Sequence, residues 1–129
     1  MPLRPLDWLN QSRRDLEESE DSMKNGKYEW ACFAAQQSAE KAVKAIYYSL
    51  NKEMWGHSIS RMLSKLDEFT VNKETIEKSK ELDRAYIGSR SPDYYTEGSP
   101  YEYYSIKDAR RCIAYAKEIF EFCSKNIQA

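Results

Sequence analysis

The 129-residue chain contains a single histidine. One imidazole cannot build a His-rich metal site, and without a Glu-x-x-His pair a di-iron bundle is excluded too. Glycine and proline are scarce, four of each, which argues against a turn-rich all-β protein and for helices. The three cysteines, Cys32, Cys112 and Cys123, are odd in number and widely spaced. They spell neither a disulfide framework nor a zinc pattern and read as small buried hydrophobes in a reducing compartment. No run approaches the roughly 18 apolar residues that cross a bilayer. The N-terminal stretch lacks the apolar core of a secretory signal, so a cytoplasmic protein away from the membrane is expected. Charge of one sign is missing as well: 20 Lys and Arg stand against 21 Asp and Glu, a net −1. That balance excludes a strongly basic nucleic-acid coat and an acidic tail. Neither a GxGxxG nor a Walker A loop occurs, and no Ser sits in a nucleophile elbow.

What the chain does have is tyrosine, 10 residues of it, and helical periodicity. Its length suits one domain over residues 1–129. The spacing predicts an all-α, antiparallel up-and-down bundle of about five helices. The first runs from Pro5 to Lys24, stopped by Gly26, with Leu9, Ser12, Leu16, Ser19 and Met23 inward. The second, Tyr28 to Asn51, has one stripe at Cys32, Ala35, Ala39, Ala42, Val43, Ile46 and Leu50. A second stripe runs through Trp30, Phe33, Ala34, Gln37, Ala45 and Tyr48, so this helix belongs in the bundle centre. Gln36 and Gln37 interrupt the apolar run and, if buried, must tie helices together. Ser58 caps a short third helix, and a fourth spans Lys73 to Ser89. Ser105 and Asp108 open the last helix as a variant capping box. Between them, residues 90–104 break every helical pattern, and a loop of that length in a compact bundle is often functional.

Three places could carry chemistry. His57 lies at a helix start, where the dipole disfavours a cation, so a neutral hydrogen-bonding imidazole is expected. It either fixes the turn or exchanges a proton near a phosphate. Arg90 ends the fourth helix. It either satisfies free carbonyls or grips phosphate bidentately, with Asp93 holding its plane. The loop tyrosines Tyr94, Tyr95, Tyr101, Tyr103 and Tyr104 either stack on a ligand or pack against the bundle or another subunit. The candidate ligand-binding set is therefore Arg90, Asp93, Tyr94, Tyr95 and Tyr104, and the catalytic candidates are Arg90, Asp93 and His57. No metal site and no cofactor are expected.

Three segments together resemble a known family, the HEPN domain in its minimal prokaryotic form. They are Phe33-Ala34-Ala35-Gln36-Gln37-Ser38-Ala39-Glu40-Lys41, then Gly56-His57-Ser58-Ile59, then Arg90-Ser91-Pro92-Asp93-Tyr94 with the Pro100-Tyr101-Glu102-Tyr103-Tyr104 stretch that follows. The resemblance implies a dimeric helical bundle. Many family members are metal-independent endoribonucleases or toxins with an Arg-x4–6-His motif. In these the Arg engages the scissile phosphate, the His does acid–base work, and two subunits share the cleft. Minimal members pair with a nucleotidyltransferase as toxin–antitoxin systems, and nucleotide binding has been proposed for the family. Arg90 matches the motif Arg, but no His follows it in the loop. The resemblance therefore implies a non-catalytic dimeric binding module that acts with a nucleotidyltransferase and binds nucleotide or RNA phosphate through Arg90. A degenerate endoribonuclease and a ligand-free helical interaction protein are the alternatives.

Overall fold

The computed structural model describes residues 2–127. Among them the chain forms five α-helices and no strand: α1 Pro5–Lys24, α2 Tyr28–Ser49, α3 Ile59–Ser64, α4 Lys73–Gly88 and α5 Ile106–Asn126. This is the antiparallel bundle that the periodicity predicts. Most ends are set locally. Pro5 occupies the first turn of α1, where its fixed φ and missing N–H cost nothing. Gly26, at φ 75°, turns the chain between α1 and α2 in a left-handed conformation that glycine enters freely. The Ser58 hydroxyl accepts from the Arg61 N–H to open α3, and Asn72 does the same for α4 from Thr75. Ser105 and Asp108 form the reciprocal box at α5.

α2 ends two residues earlier than its pattern suggests. Asn51 adopts φ 59°, the left-handed stop that asparagine tolerates. The loop before α5 is more ordered than its composition implies. It holds two single-turn 3-10 helices, Pro92–Tyr94 and Pro100–Tyr103, each opened by a proline whose φ is already set.

α2 is central and packs mainly on α1 and α5. Cys32, Ala35, Ala39, Ala42, Val43 and Ile46 are fully buried there, as the first stripe predicts, and all three cysteines are buried and unpaired. Burial pushes the Cys123 thiol up. The neighbouring Cys112 thiol, and then burial, push Cys32 up as well. These thiols are poor nucleophiles. The second stripe is only half covered. Ala34 and Ala45 are buried, but Trp30 remains 47% exposed. It walls a groove lined by α1, α2 and their connection alone, because no third helix closes that end.

The α1–α2 contact is close because it is built on serine. The Ser12 hydroxyl donates to the Ser38 carbonyl at 2.6 Å, and the Ser38 hydroxyl donates to the Ser12 carbonyl at 2.8 Å. Both side chains are fully buried. Ser38→Leu is therefore expected to overpack the crossing and destabilise the fold by about 1–3 kcal/mol, read as a lower denaturant midpoint. An unchanged midpoint would show that the crossing has room to spare.

Candidate functional site

Gln36, Glu40 and Lys44 follow one another by a turn of α2, spacing that puts them on one face. All three are buried, Glu40 to 5% exposure and Lys44 to 7%. The Lys44 ammonium reaches Glu40 Oε2 at 3.0 Å, and the Gln36 amide donates to Glu40 Oε1 at 3.0 Å and to the His57 carbonyl at 3.3 Å. Gln37 donates to Gln36 Oε1 at 2.7 Å. Gln36 thus ties α2 to the segment before α3, the role that its place in an apolar run implied.

The same carboxylate holds the histidine. His57 Nδ1 lies 3.1 and 3.3 Å from the two Glu40 oxygens. A carboxylate there keeps the proton of a neutral ring on Nδ1 and leaves Nε2 as an acceptor. The His57 side chain is about half exposed, and its ring stacks on Tyr86 at 4.2 Å. Asp83, one turn before Tyr86, anchors the adjoining backbone. The Ile59 N–H donates to its carboxylate at 2.6 Å, and the Ser60 hydroxyl does so at 2.6 Å. The imidazole is therefore fixed from both α2 and α4.

Arg90 follows Tyr86 by one turn. Its Nε and Nη2 donate to the Tyr86 carbonyl at 2.9 and 2.8 Å, which caps the end of α4. Its guanidinium carbon lies 4.3 Å from the Phe33 ring centroid and 4.8 Å from that of Tyr86. Two aromatic faces hold the plane of the cation, and Arg90 remains exposed. Asp93, the sequence-based candidate for that role, makes no hydrogen bond or ion pair with Arg90 among the described residues; it lies exposed in the first 3-10 turn. Arg90 and His57, 33 positions apart in the chain, rest against the same ring.

The loop tyrosines form a separate cluster. Tyr95 and Tyr103 stack at 3.9 Å, and Tyr94 meets Tyr95 edge-on at 5.1 Å. The Tyr95 hydroxyl donates to the Gly88 carbonyl at 2.7 Å, and Tyr103 donates to the Glu97 carbonyl. A Cβ on Gly88 would come within 3.1 Å of the Tyr104 hydroxyl and 3.3 Å of that of Tyr95, so glycine lets the loop seat on α4. Burial, then the hydrogen bond with Tyr95, push the Tyr104 hydroxyl far up. Tyr94, Tyr95 and Tyr104 line a cleft of about 280 Å³ with Arg84 and Arg111. Arg111 is held by Glu81 at 2.7 Å and Asp108 at 2.6 Å. Among the described residues none of these three tyrosines stacks on or bonds to Arg90. The tyrosine that Arg90 meets is Tyr86.

Sequence reasoning missed Glu40, Tyr86 and Phe33 as site residues. The 36-40-44 spacing, which places two charges beside the fully buried stripe, was the signal for Glu40; Tyr86 and Phe33 carried no local signal. No group of three or more His, Cys, Asp or Glu side chains converges as a metal site among the described residues. No helix there is long and apolar enough to cross a membrane.

A five-helix bundle in which exposed Arg90 and His57 share the Tyr86 ring, beside a proline- and tyrosine-rich loop, defines a small all-α protein. The chain belongs to the HEPN domain family, which matches residues 6–127. The crystal structure of TT1696 from Thermus thermophilus is similar over 96% of this chain and 98% of its own, at 36% identity and a TM-score of 0.94. ST0689, an archaeal HEPN homologue, is 42% identical over 97% and 98% of the two chains, with a TM-score of 0.83. A HEPN domain protein from Thermotoga maritima is 34% identical over 92% and 95%, with a TM-score of 0.75. None of the curated proteins compared matches the chain.

Proposed function

We propose that the chain is a non-catalytic, dimeric HEPN binding module that takes a nucleotide or an RNA phosphate on the α2–α4 face. It acts there beside a minimal nucleotidyltransferase, in a toxin–antitoxin-like pair. The observation that carries the reading is the meeting of exposed Arg90 and His57 on the Tyr86 ring. The guanidinium spends two of its nitrogens on the Tyr86 carbonyl, which leaves Nη1 and the outer N–H of Nη2 for phosphate oxygens. His57 stacks on the same Tyr86 ring. The likeness of the Gln36–Lys41 and Arg90–Asp93 segments to the minimal branch supports the partner. Tyr94 and Tyr101 are exposed, and their hydroxyls make no hydrogen bond among the described residues. They are the acceptors such a partner would reach. Incubation with ATP and the co-purified nucleotidyltransferase, followed by intact-mass measurement, tests this. A gain of one nucleotidyl group, with pyrophosphate released, is expected, and an unchanged mass removes the modification.

One observation favours a second reading, a metal-independent endoribonuclease. Glu40 orients His57 in the way a carboxylate orients a general base, and the imidazole shares the Tyr86 ring with Arg90. Nε2 would take the ribose 2′-hydroxyl proton while Arg90 holds the phosphate, the 2′-oxygen would bond to phosphorus as the P–O5′ bond breaks, and the protonated imidazole would return its proton to the leaving 5′-oxygen. RNA cleavage in EDTA should then fall about 10²–10⁴-fold in His57→Ala. Equal background cleavage in the parent chain, His57→Ala and Arg90→Ala leaves the binding module alone.

A further inference from the structure

We infer that the Arg90–His57 face continues on both sides into base-stacking platforms, so that its ligand is a single-stranded oligonucleotide with unpaired bases on Trp55 and Trp30. The inference rests on the phosphate-binding reading of Arg90 and extends it from one phosphate to a strand.

Six side chains follow one another over this face. Trp55 and His57 line one cleft. His57 stacks on Tyr86 at 4.2 Å, Arg90 lies 4.8 Å from Tyr86 and 4.3 Å from Phe33, and Phe33 meets Trp30 at 6.0 Å. Both ends are indoles in water: Trp55 is 81% exposed and Trp30 47%. Burying an indole stabilises a fold in proportion to the area covered, and this one leaves two of its three tryptophans substantially uncovered. Aromatic faces set beside cations are what a single strand needs, since each base offers a π-face and each linkage a charge. A duplex has no free base faces, and a mononucleotide would occupy one platform only.

The charges sort bases from phosphates. Beside Trp55 and His57, a cleft of about 210 Å³ is lined by Arg61 and Lys65, neither of which forms an ion pair among the described residues. Phosphates belong there and over Arg90. At the other end, the groove of about 560 Å³ under Trp30 and Phe33 holds Lys41 already paired with Asp15 at 2.6 Å. Its balanced charge suits an uncharged base, and the Gln37 side chain on the same wall offers an amide to a base edge.

Fluorescence anisotropy of the full chain tests this, using labelled single strands of about 12 nucleotides, within the range that such grooves span. Ribose and deoxyribose strands are run in parallel, with a duplex of the same sequence and AMP as references. Trp55→Ala and Trp30→Ala are each expected to weaken single-strand binding about fivefold or more, from the cost of one missing stack, and the double variant by more than either alone. Trp55→Phe should retain most of the strand affinity. Removing Arg61 and Lys65 together should flatten the salt dependence by about 0.7 for each phosphate no longer neutralised. The tighter of the two strands identifies RNA or DNA as the source. Strand affinity equal in the parent chain and both Trp→Ala variants overturns the inference. Duplex bound as tightly as single strand, or AMP bound through Arg90 with no strand bound, overturns it as well, and in the last case the Arg90 reading stands. If neither AMP nor strands bind, both fall together.

Discussion

Glu40→Ala is expected to unfold at a temperature roughly 10–20 °C below the parent chain. The substitution leaves the Lys44 ammonium buried without its carboxylate, and breaking one partner out of a buried pair typically costs about 3–5 kcal/mol. A domain of this size loses roughly 3–4 °C for each kcal/mol. Gln36 and His57 lose their acceptor in the same step. The cost belongs to the orphaned charge and not to the ion pair as such. Replacing both residues with apolar ones, Glu40→Leu with Lys44→Met, should therefore recover most of the melting temperature while still releasing His57. Thermal unfolding followed by circular dichroism measures both. A Glu40→Ala variant melting within a few degrees of the parent would show that Lys44 finds water in the folded state.

That network also marks where sequence reading stops. Pro5, Gly26, Ser58 and the Ser105–Asp108 pair announce helix ends because each acts on backbone within a few residues of itself. The inner stripe of α2 is legible because burial follows the 3.6-residue period. Glu40 and Lys44 look like solvated charges by residue type, and only the position of α2 in the bundle centre reveals that they are covered. Trp30 errs in the opposite direction, apolar by type and half exposed because no third helix lies over it. Arg90 and His57 are visible singly as candidates. Their meeting is a tertiary event, made by the Asp83 anchor and the Tyr86 ring, and no local pattern encodes it. The tyrosine loop adjoins Arg90 in sequence, which is what suggests a joint site. In the fold it turns the other way and seats on Gly88.

The second large effect concerns ligand. Arg90→Ala should weaken binding of a nucleotide phosphate roughly 10- to 150-fold, the equivalent of one charge-assisted hydrogen-bonding group at about 1.5–3 kcal/mol. Stability should change far less, because Arg90 is exposed and what the fold loses is a cap and a stack on Phe33 and Tyr86. Arg90→Lys tests the geometry. An ammonium keeps the charge but has neither the planar fork nor the same stacking on aromatic faces. It should recover only part of the affinity. Equal binding by the Lys and Arg chains would reduce the site to a point charge and remove the role given to Phe33 and Tyr86.

The lone histidine makes the central claim directly measurable. With one imidazole in the chain, the histidine ring signals in an NMR spectrum belong to His57 without assignment work. Titrating AMP into the parent chain should shift those signals progressively and saturably, and the same titration into Arg90→Ala should leave them nearly still. His57 signals that do not move with ligand, or that move equally without Arg90, would contradict a shared phosphate-binding face.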